Sequence, residues 1–381
     1  MPRSFVFPVD VGKSAPYALS LTANFQSSAD IFLCNTLIHR SNFDNERFQY
    51  FCYRIMGSVG VPRERVLVIY GSLSPEVEDS IRETFADQEL TIYQPKPGEV
   101  TPPELYRKAT ILATFSHLPK PEDAQNLKII HSFSAGLDHL INNPILKEGK
   151  IAITSSSGIH GPPIAEWTIM NWIIASRKHF QIYEAQKAHR WDDKDQYLRG
   201  NHDQAGKKVG ILGYGSIGRQ IGRVSQALGM SVYAYTASPR KTPESKRDNG
   251  YIVPGTGDAD GSIPTTKFLG AEEFALLSAS STSKAAKPYI TNISRGKVLD
   301  QDALIEALNA GHLSGAALDV TDPEPLPEDH PLWDTPNVQI SPHLSGIGRE
   351  YLPRSLDILR INLGRLARGE PLINAYGGKG Y

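Results

Sequence analysis

Three side chains stand where a protein can do chemistry on a small anion. Arg295 closes the run Ile293-Ser-Arg-Gly296, Glu324 lies in Asp319-Val-Thr-Asp-Pro-Glu324, and His343 lies in Ser341-Pro-His343. An arginine binds carboxylate or phosphate through a planar fork of donors. A histidine moves a proton near neutral pH, and a carboxylate beside it favours the protonated ring. Singly, each has a plainer reading: a surface charge for the arginine, a satisfied polar residue for the histidine. Together they each follow a short apolar run that reads as a strand. In an open parallel sheet ligands bind beyond the carboxyl ends of the strands, so the three point to one crevice.

A glycine pattern supplies a second site. Gly213-Tyr-Gly215-Ser-Ile-Gly218 follows the apolar run Lys208–Leu212 and opens a helical stretch over 216–228. Gly213 permits a tight turn, Gly215 lets backbone approach a pyrophosphate at the helix N-terminus, and Gly218 lets helix and strand pack closely. A structural strand-to-helix turn is the alternative. About 20 residues on, NAD-binding sequences carry an acid for the ribose hydroxyls. Here the next strand ends Tyr235-Thr236-Ala-Ser238-Pro-Arg240-Lys241, with no carboxylate. Thr236 and Ser238 can hydrogen-bond a 2′-phosphate, and Arg240 or Lys241 can neutralise it. The alternative is a solvated basic turn.

The elements that position these residues follow from periodicity. Apolar runs at 66–70, 90–93, 110–114, 127–132 and 151–154 alternate with helical stretches, which implies a parallel sheet with helices on both faces. Residues 164–178 form a long helix, apolar nearly all round, expected to lie buried between domains. A polar surface helix and loop follow over 186–204. The second series holds strands at 208–212, 231–235, 289–293, 315–319 and 338–341. A capped helix runs over 300–310, and a closing amphipathic helix over 351–366. Residues 239–264 read as a long loop rich in glycine, proline and charge. The expected fold class is α/β, with two Rossmann-like, doubly wound parallel-sheet domains.

The chain has 381 residues, enough for two domains, and carries 40 Lys+Arg against 41 Asp+Glu. That balance creates no field for nucleic acid or an anionic membrane. No apolar run is long enough to cross a bilayer. Two cysteines, Cys34 and Cys52, suffice for neither a disulfide framework nor a zinc site, so a reducing, cytoplasmic setting and no metal are expected. Residues 1–55 lack sustained periodicity and read as an N-terminal extension or as an arm packed on the domain.

From about residue 60 to the C-terminus the chain resembles the D-isomer-specific 2-hydroxyacid dehydrogenases. Ser134-Ala-Gly-Leu-Asp-His139 is similar to the family's substrate loop, and Ile164-Ala-Glu-Trp167 opens what resembles its interdomain helix. The blocks around Arg295, around Asp319 and Glu324, and around His343 are similar to its signatures. Formate dehydrogenases, related to it, carry Gln where this chain has Glu324. The resemblance implies an NAD(P)-dependent oxidoreductase acting on a small 2-keto or 2-hydroxy acid, as a homodimer. It assigns catalysis to Arg295, Glu324 and His343, and substrate binding to Ser134, Ala135, Gly136 and Arg295. Cofactor contacts fall on Gly213, Gly215, Ser216, Ile217, Gly218, Thr236, Ser238, Arg240, Ile293, Ser294 and Asp319. The expected cofactor is NADP or NAD, with NADP slightly preferred. The expected domains are 56–158 plus 347–381 for the substrate, a discontinuous unit, and 159–346 for the dinucleotide.

One departure from the family stands out. Thr266-Lys-Phe268 runs directly into a helical stretch where the family has a further strand, so about one βα unit of roughly 30 residues is missing near 265–270. The alternatives to an enzyme are therefore an inactive or truncated member, or a dinucleotide-sensing binding protein.

Overall fold

The computed structural model describes residues 63–376, apart from 141, 148, 199, 239 and 265–286. The readings of residues 1–55, of both cysteines and of the missing unit near 265–270 fall outside them. The described residues belong to one compact unit, Gly57–Tyr381.

Five short strands open the fold: β1 (Arg65–Ile69), β2 (Glu89–Tyr93), β3 (Ile111–Thr114), β4 (Ile129–Ser132) and β5 (Ala152–Ser155). They form one sheet in the order β2-β1-β3-β4-β5, and every pair is parallel. β1, β3 and β4 are almost wholly buried, as strands covered on both faces must be, and β4 carries the polar pair His131-Ser132 inside. Helices α1 (Pro75–Thr84) and α2 (Pro103–Lys108) lie among the crossovers, each with proline in its first turn.

The chain then enters α3 (Gly161–Ser176). Its apolar residues cover most of its circumference, and Ile164, Ala165, Trp167 and Ile169 are buried. The helix ends sooner than its sequence suggests, because Lys178 takes a left-handed backbone conformation (φ 55°) and starts α4 (His179–Lys187). The surface helix expected from 186 thus begins seven residues earlier and ends at Lys187, and 188–204 is irregular apart from one helical turn, Asp195–Leu198.

A second group of strands follows: β6 (Lys208–Leu212), β7 (Ser231–Tyr235), β8 (Tyr289–Asn292), β9 (Gly315–Leu318) and β10 (Val338–Ile340). Among the described residues they form two parallel sheets, β6-β7 and β10-β9-β8. Between strands lie α5 (Ser216–Ala227) and α6 (Gln301–Asn309). The Asp300 side chain accepts a hydrogen bond from the Ala303 amide at 3.0 Å, and Gly311 beyond the helix has φ 70°, the start and stop that its sequence signals.

The last helix, α7 (Tyr351–Ala367), returns to the first sheet. Its Leu352, Leu356, Leu359 and Leu363 join Val66, Ile111, Ile129 and Phe133 in one core. Beyond it, Ala375 bridges Thr154 of β5. No helix among the described residues is long and apolar enough to cross a membrane.

Candidate active site

The three residues singled out for chemistry all follow strands of the β10-β9-β8 sheet. β8 ends at Asn292, whose side-chain oxygen accepts from the Ser294 amide (3.1 Å) and hydroxyl (2.9 Å), while its amide donates to the Arg295 carbonyl (2.9 Å). This local turn sends the Arg295 side chain outward. Ile293, beside it, packs against the core under β6 and β7. Gly296 is required here: a Cβ would sit 2.0 Å from the Thr321 carbonyl carbon and oxygen. That close approach brings the Arg295 turn against the turn that carries Glu324.

Glu324 is fixed by its own loop, with Oε1 accepting from the Thr321 amide at 3.2 Å. Its Oε2 lies 3.1 Å from His343 Nδ1. His343 has a left-handed backbone (φ 53°), a conformation that costs a non-glycine residue energy and persists only where its surroundings enforce it. The enforcing group is Asp319. Its carbonyl accepts from the His343 amide at 2.9 Å. Its buried carboxylate accepts from Ser341 Oγ, the Leu344 and Ser345 amides, and Ser345 Oγ. Both Asp319 oxygens thus hold the 341–345 turn that presents His343.

Arg295 reaches across to the loop after β4, residues 134–139. Its Nη2 lies 3.1 Å from Asp138 Oδ2, and a Cβ on Gly136 would sit 3.0 Å from the same nitrogen. Ser134 anchors that loop: its amide donates to Ser132 Oγ and its carbonyl accepts from the Ser156 amide. Ala135 and Gly136 are half-buried, whereas Arg295, Glu324 and His343 are exposed. The site therefore combines an anion anchor with an imidazole whose second nitrogen, Nε2, is turned away from Glu324.

The glycine-rich turn adjoins the same region through α3. Gly161 packs on Gln220 and the Ser216 carbonyl, while His160 and Ile164 pack under Gly346, three residues past His343. β6 and β7 end side by side, with the Gly213 amide donating to the Tyr235 carbonyl at 3.0 Å. Gly213 has φ 97°, and a Cβ on Gly218 would lie 2.3 Å from the Gly213 carbonyl oxygen. By contrast, a Cβ on Gly215 meets nothing within 4 Å. Gly215 caps α5 without a side-chain cap, so the backbone donors of Ser216 and Ile217 open the helix. A tight turn, an approachable backbone and a helix N-terminus are the donor set that a pyrophosphate fits. At the end of β7, the buried Thr236 donates to the Ser238 carbonyl at 2.8 Å, and Arg240 is half-buried nearby in sequence.

Two histidines differ in burial: His131 in β4 is buried and His160, just before α3, is half-buried. His131, fully buried, bonds Thr154 (2.9 Å) and Ser355 (3.1 Å), and burial pushes its pKa down to about 3. Burial, then the nearby Arg354, lowers His160 to about 4. Both rings are neutral at ordinary pH.

Some contacts had no signal in the sequence. Asp138 is one. Others lie in the 239–264 segment, which holds one helical turn, Pro243–Lys246, capped by Thr242, and is otherwise irregular yet packed. Its Asp258 accepts from Tyr214 Oη at 2.9 Å and, through its carbonyl, from the buried Arg219. Its Tyr251 is buried with Ile159 and Ile358.

Comparison with known proteins gives the family. The profile of the D-isomer specific 2-hydroxyacid dehydrogenase NAD binding domain matches residues 169–254 and 262–345. A glyoxylate reductase/hydroxypyruvate reductase of Homo sapiens is 32% identical over 262 residues, covering 65% of this chain and 76% of that protein. A glyoxylate reductase of Thermofilum pendens is 29% identical over 255 residues, covering 65% of this chain and 74% of its own. Among solved structures, a probable 2-hydroxyacid dehydrogenase from Rhizobium etli, in complex with NADP, HEPES and L(+)-tartaric acid, shares the fold. Its TM-score is 0.61 at 22% identity, covering 83% of this chain and 99% of that one. The chain belongs to the D-isomer-specific 2-hydroxyacid dehydrogenases, NAD(P)-dependent oxidoreductases.

Proposed function

We propose that the chain reduces a 2-keto acid to a D-2-hydroxy acid. The observation that carries this reading is the Glu324–His343 contact beside a cation, Arg295, that already holds a carboxylate. Arg295 binds the substrate carboxylate and polarises the adjacent carbonyl. Backbone amides at Ala135 and Gly136, in the loop opened by Ser134, hold the other carboxylate oxygen. His343 gives its Nε2 proton to the carbonyl oxygen, and Glu324, in contact with Nδ1, keeps the ring oriented. Asp319 acts behind them, fixing the turn that carries His343.

The dinucleotide supplies the hydride when it is bound. Gly213, Gly215, Ser216, Ile217 and Gly218 would hold its pyrophosphate, and Ile293 and Ser294 would contribute further cofactor contacts. Thr236, Ser238 and Arg240 read the ribose and favour NADP over NAD.

The substrate domain comprises 56–158 plus 347–381, and the dinucleotide domain 159–346. The exposed apolar residues Met170, Ile173, Phe180, Ile182 and Tyr183 on α3 and α4 support pairing of two copies, which sedimentation of the purified chain tests. The setting is the cytoplasm, where the two cysteines stay reduced.

The test is loss of NADPH or NADH absorbance with glyoxylate, hydroxypyruvate and larger 2-keto acids, with chiral analysis of the product. Oxidation of cofactor giving a D-2-hydroxy acid is expected. No turnover of any 2-keto acid, or an L product, overturns the reading.

A further inference from the structure

Three aromatic residues each directly follow a strand of the first sheet: Tyr70 after β1, Phe115 after β3 and Phe133 after β4. A fourth, Tyr351, opens α7. Their rings form one cluster. Phe115 lies 5.4 Å from Tyr70, 5.3 Å from Phe133 and 6.2 Å from Tyr351, centroid to centroid, and Tyr70 lies 5.6 Å from Phe133. Phe133 is fully buried and serves the core, whereas Tyr70, Phe115 and Tyr351 are half-buried and keep part of each ring at the surface.

The cluster is bracketed by the two loops that hold the chemistry. On one side, Phe133 leads directly into Ser134-Ala-Gly136, and the Phe115 carbonyl lies 2.9 Å from His139 Nε2, next in sequence to the Asp138 that pairs with Arg295. On the other side, Tyr351 packs edge-on against His160 at 5.0 Å, and His160 lies under Gly346 on the turn from His343. A 2-keto acid held by its carboxylate at Arg295 and by its carbonyl at His343 has one substituent left, the group on the far side of the carbonyl carbon. The aromatic cluster adjoins both of the loops that carry those anchors. A charged substituent against those rings would lose hydration, a cost that an apolar one does not carry.

We propose that the substrate is a 2-keto acid with a large apolar side chain, branched or aromatic, and that Phe115 selects it; this rests on the reductase reading above. A single apolar group in such a pocket typically changes kcat/KM by about 10–200-fold. The experiment compares kcat/KM for phenylpyruvate and glyoxylate at saturating cofactor, in wild type and Phe115→Ala. Phenylpyruvate is expected to be favoured by at least about tenfold in wild type, and that ratio to fall at least about tenfold in Phe115→Ala, mainly through KM. Phe115→Leu replaces the alanine variant if its melting temperature drops. Turnover of glyoxylate at an equal or better kcat/KM, or a ratio that the substitution leaves unmoved, overturns this proposal while the reductase reading stands. Absence of any turnover overturns the reductase reading. In that event binding decides the role of the aromatic cluster: cofactor-loaded wild type should melt higher with D-3-phenyllactate than with glycolate, a difference that Phe115→Ala removes. Equal shifts with the two acids overturn it.

Discussion

Arg295 and Asp138 face each other at 3.1 Å, joining the turn after β8 to the loop after β4. A carboxylate of the protein thus stands on the guanidinium proposed to bind the carboxylate of the substrate. Both side chains are largely exposed, so the pair is worth only about 0.2–1 kcal/mol. Substrate displaces it readily, at a small cost.

Removing that competitor should tighten substrate binding. Asp138→Asn is expected to lower the KM for a 2-keto acid by up to about fivefold, the most that so weak a pair allows. The gain should shrink as salt rises, because exposed charges are screened. Steady-state kinetics at two ionic strengths check this, and an unchanged or higher KM in Asp138→Asn speaks against competition.

His343→Ala should lower kcat by about 10²–10⁴, the usual contribution of a positioned acid. Glu324→Gln should lower it less, because the amide still contacts Nδ1 and holds the ring. Cofactor affinity, read from NADPH fluorescence, should barely move in either. Near-wild-type turnover of His343→Ala would remove the residue from the mechanism.

How much of this was legible in the sequence depended on how local each constraint is. Gly213 and Gly218 were readable, because a φ of 97° and a contact with the preceding strand are met within six residues of chain. Asp300 and Gly311 marked their helix for the same reason. The Arg295–Asp138 pair joins residues far apart in the chain through an exposed aspartate that nothing local distinguishes. The 239–264 segment has no period, because Tyr251 and Asp258 are buried by contacts with distant elements rather than by a repeating face. The break at Lys178 was likewise silent, since lysine carries no turn signal.

Gly296→Ala tests the contact between the Arg295 and Glu324 turns. A methyl group 2.0 Å from the Thr321 carbonyl forces one turn to move, and overpacking of this kind costs about 1–3 kcal/mol. The expected outcome is a lower melting temperature together with a fall in kcat/KM greater than the loss of folded protein explains. A variant as stable and active as wild type would mean that the turns separate freely.

His131 predicts how stability depends on pH. Its pKa is near 3 in the folded chain and about 6.5 when unfolded. Below pH 6.5 the unfolded chain therefore binds a proton that the folded chain refuses. Stability is full above that pH and falls as pH drops from 6.5 towards 3, by up to about 1.4 kcal/mol per pH unit. His160, lowered to about 4, acts in the same direction. Urea unfolding at pH 7.5 and about pH 5 should show the loss, and His131→Asn should flatten it. An identical slope in wild type and variant would assign the acid sensitivity to other groups.

The cofactor preference can be tested at the end of β7. Thr236 stands where an NAD-specific strand carries a carboxylate for the ribose hydroxyls. A carboxylate there repels a 2′-phosphate, so its absence removes the main obstacle to NADP. Ser238 and Arg240 follow within a few residues, and a hydrogen bond from a guanidinium to a phosphate contributes about 1.5–3 kcal/mol. One such bond favours NADPH over NADH by at least about tenfold, since 1.4 kcal/mol is one decade. Arg240→Ala should lower kcat/KM for NADPH and leave NADH nearly untouched. Thr236→Asp should go further and reverse the preference, because it adds the repulsive charge and the ribose acceptor together. Both effects are read from kcat/KM with each cofactor against one 2-keto acid. Equal efficiency with the two cofactors in wild type, or a preference that neither substitution shifts, would make 236–241 a solvated turn without a part in cofactor choice.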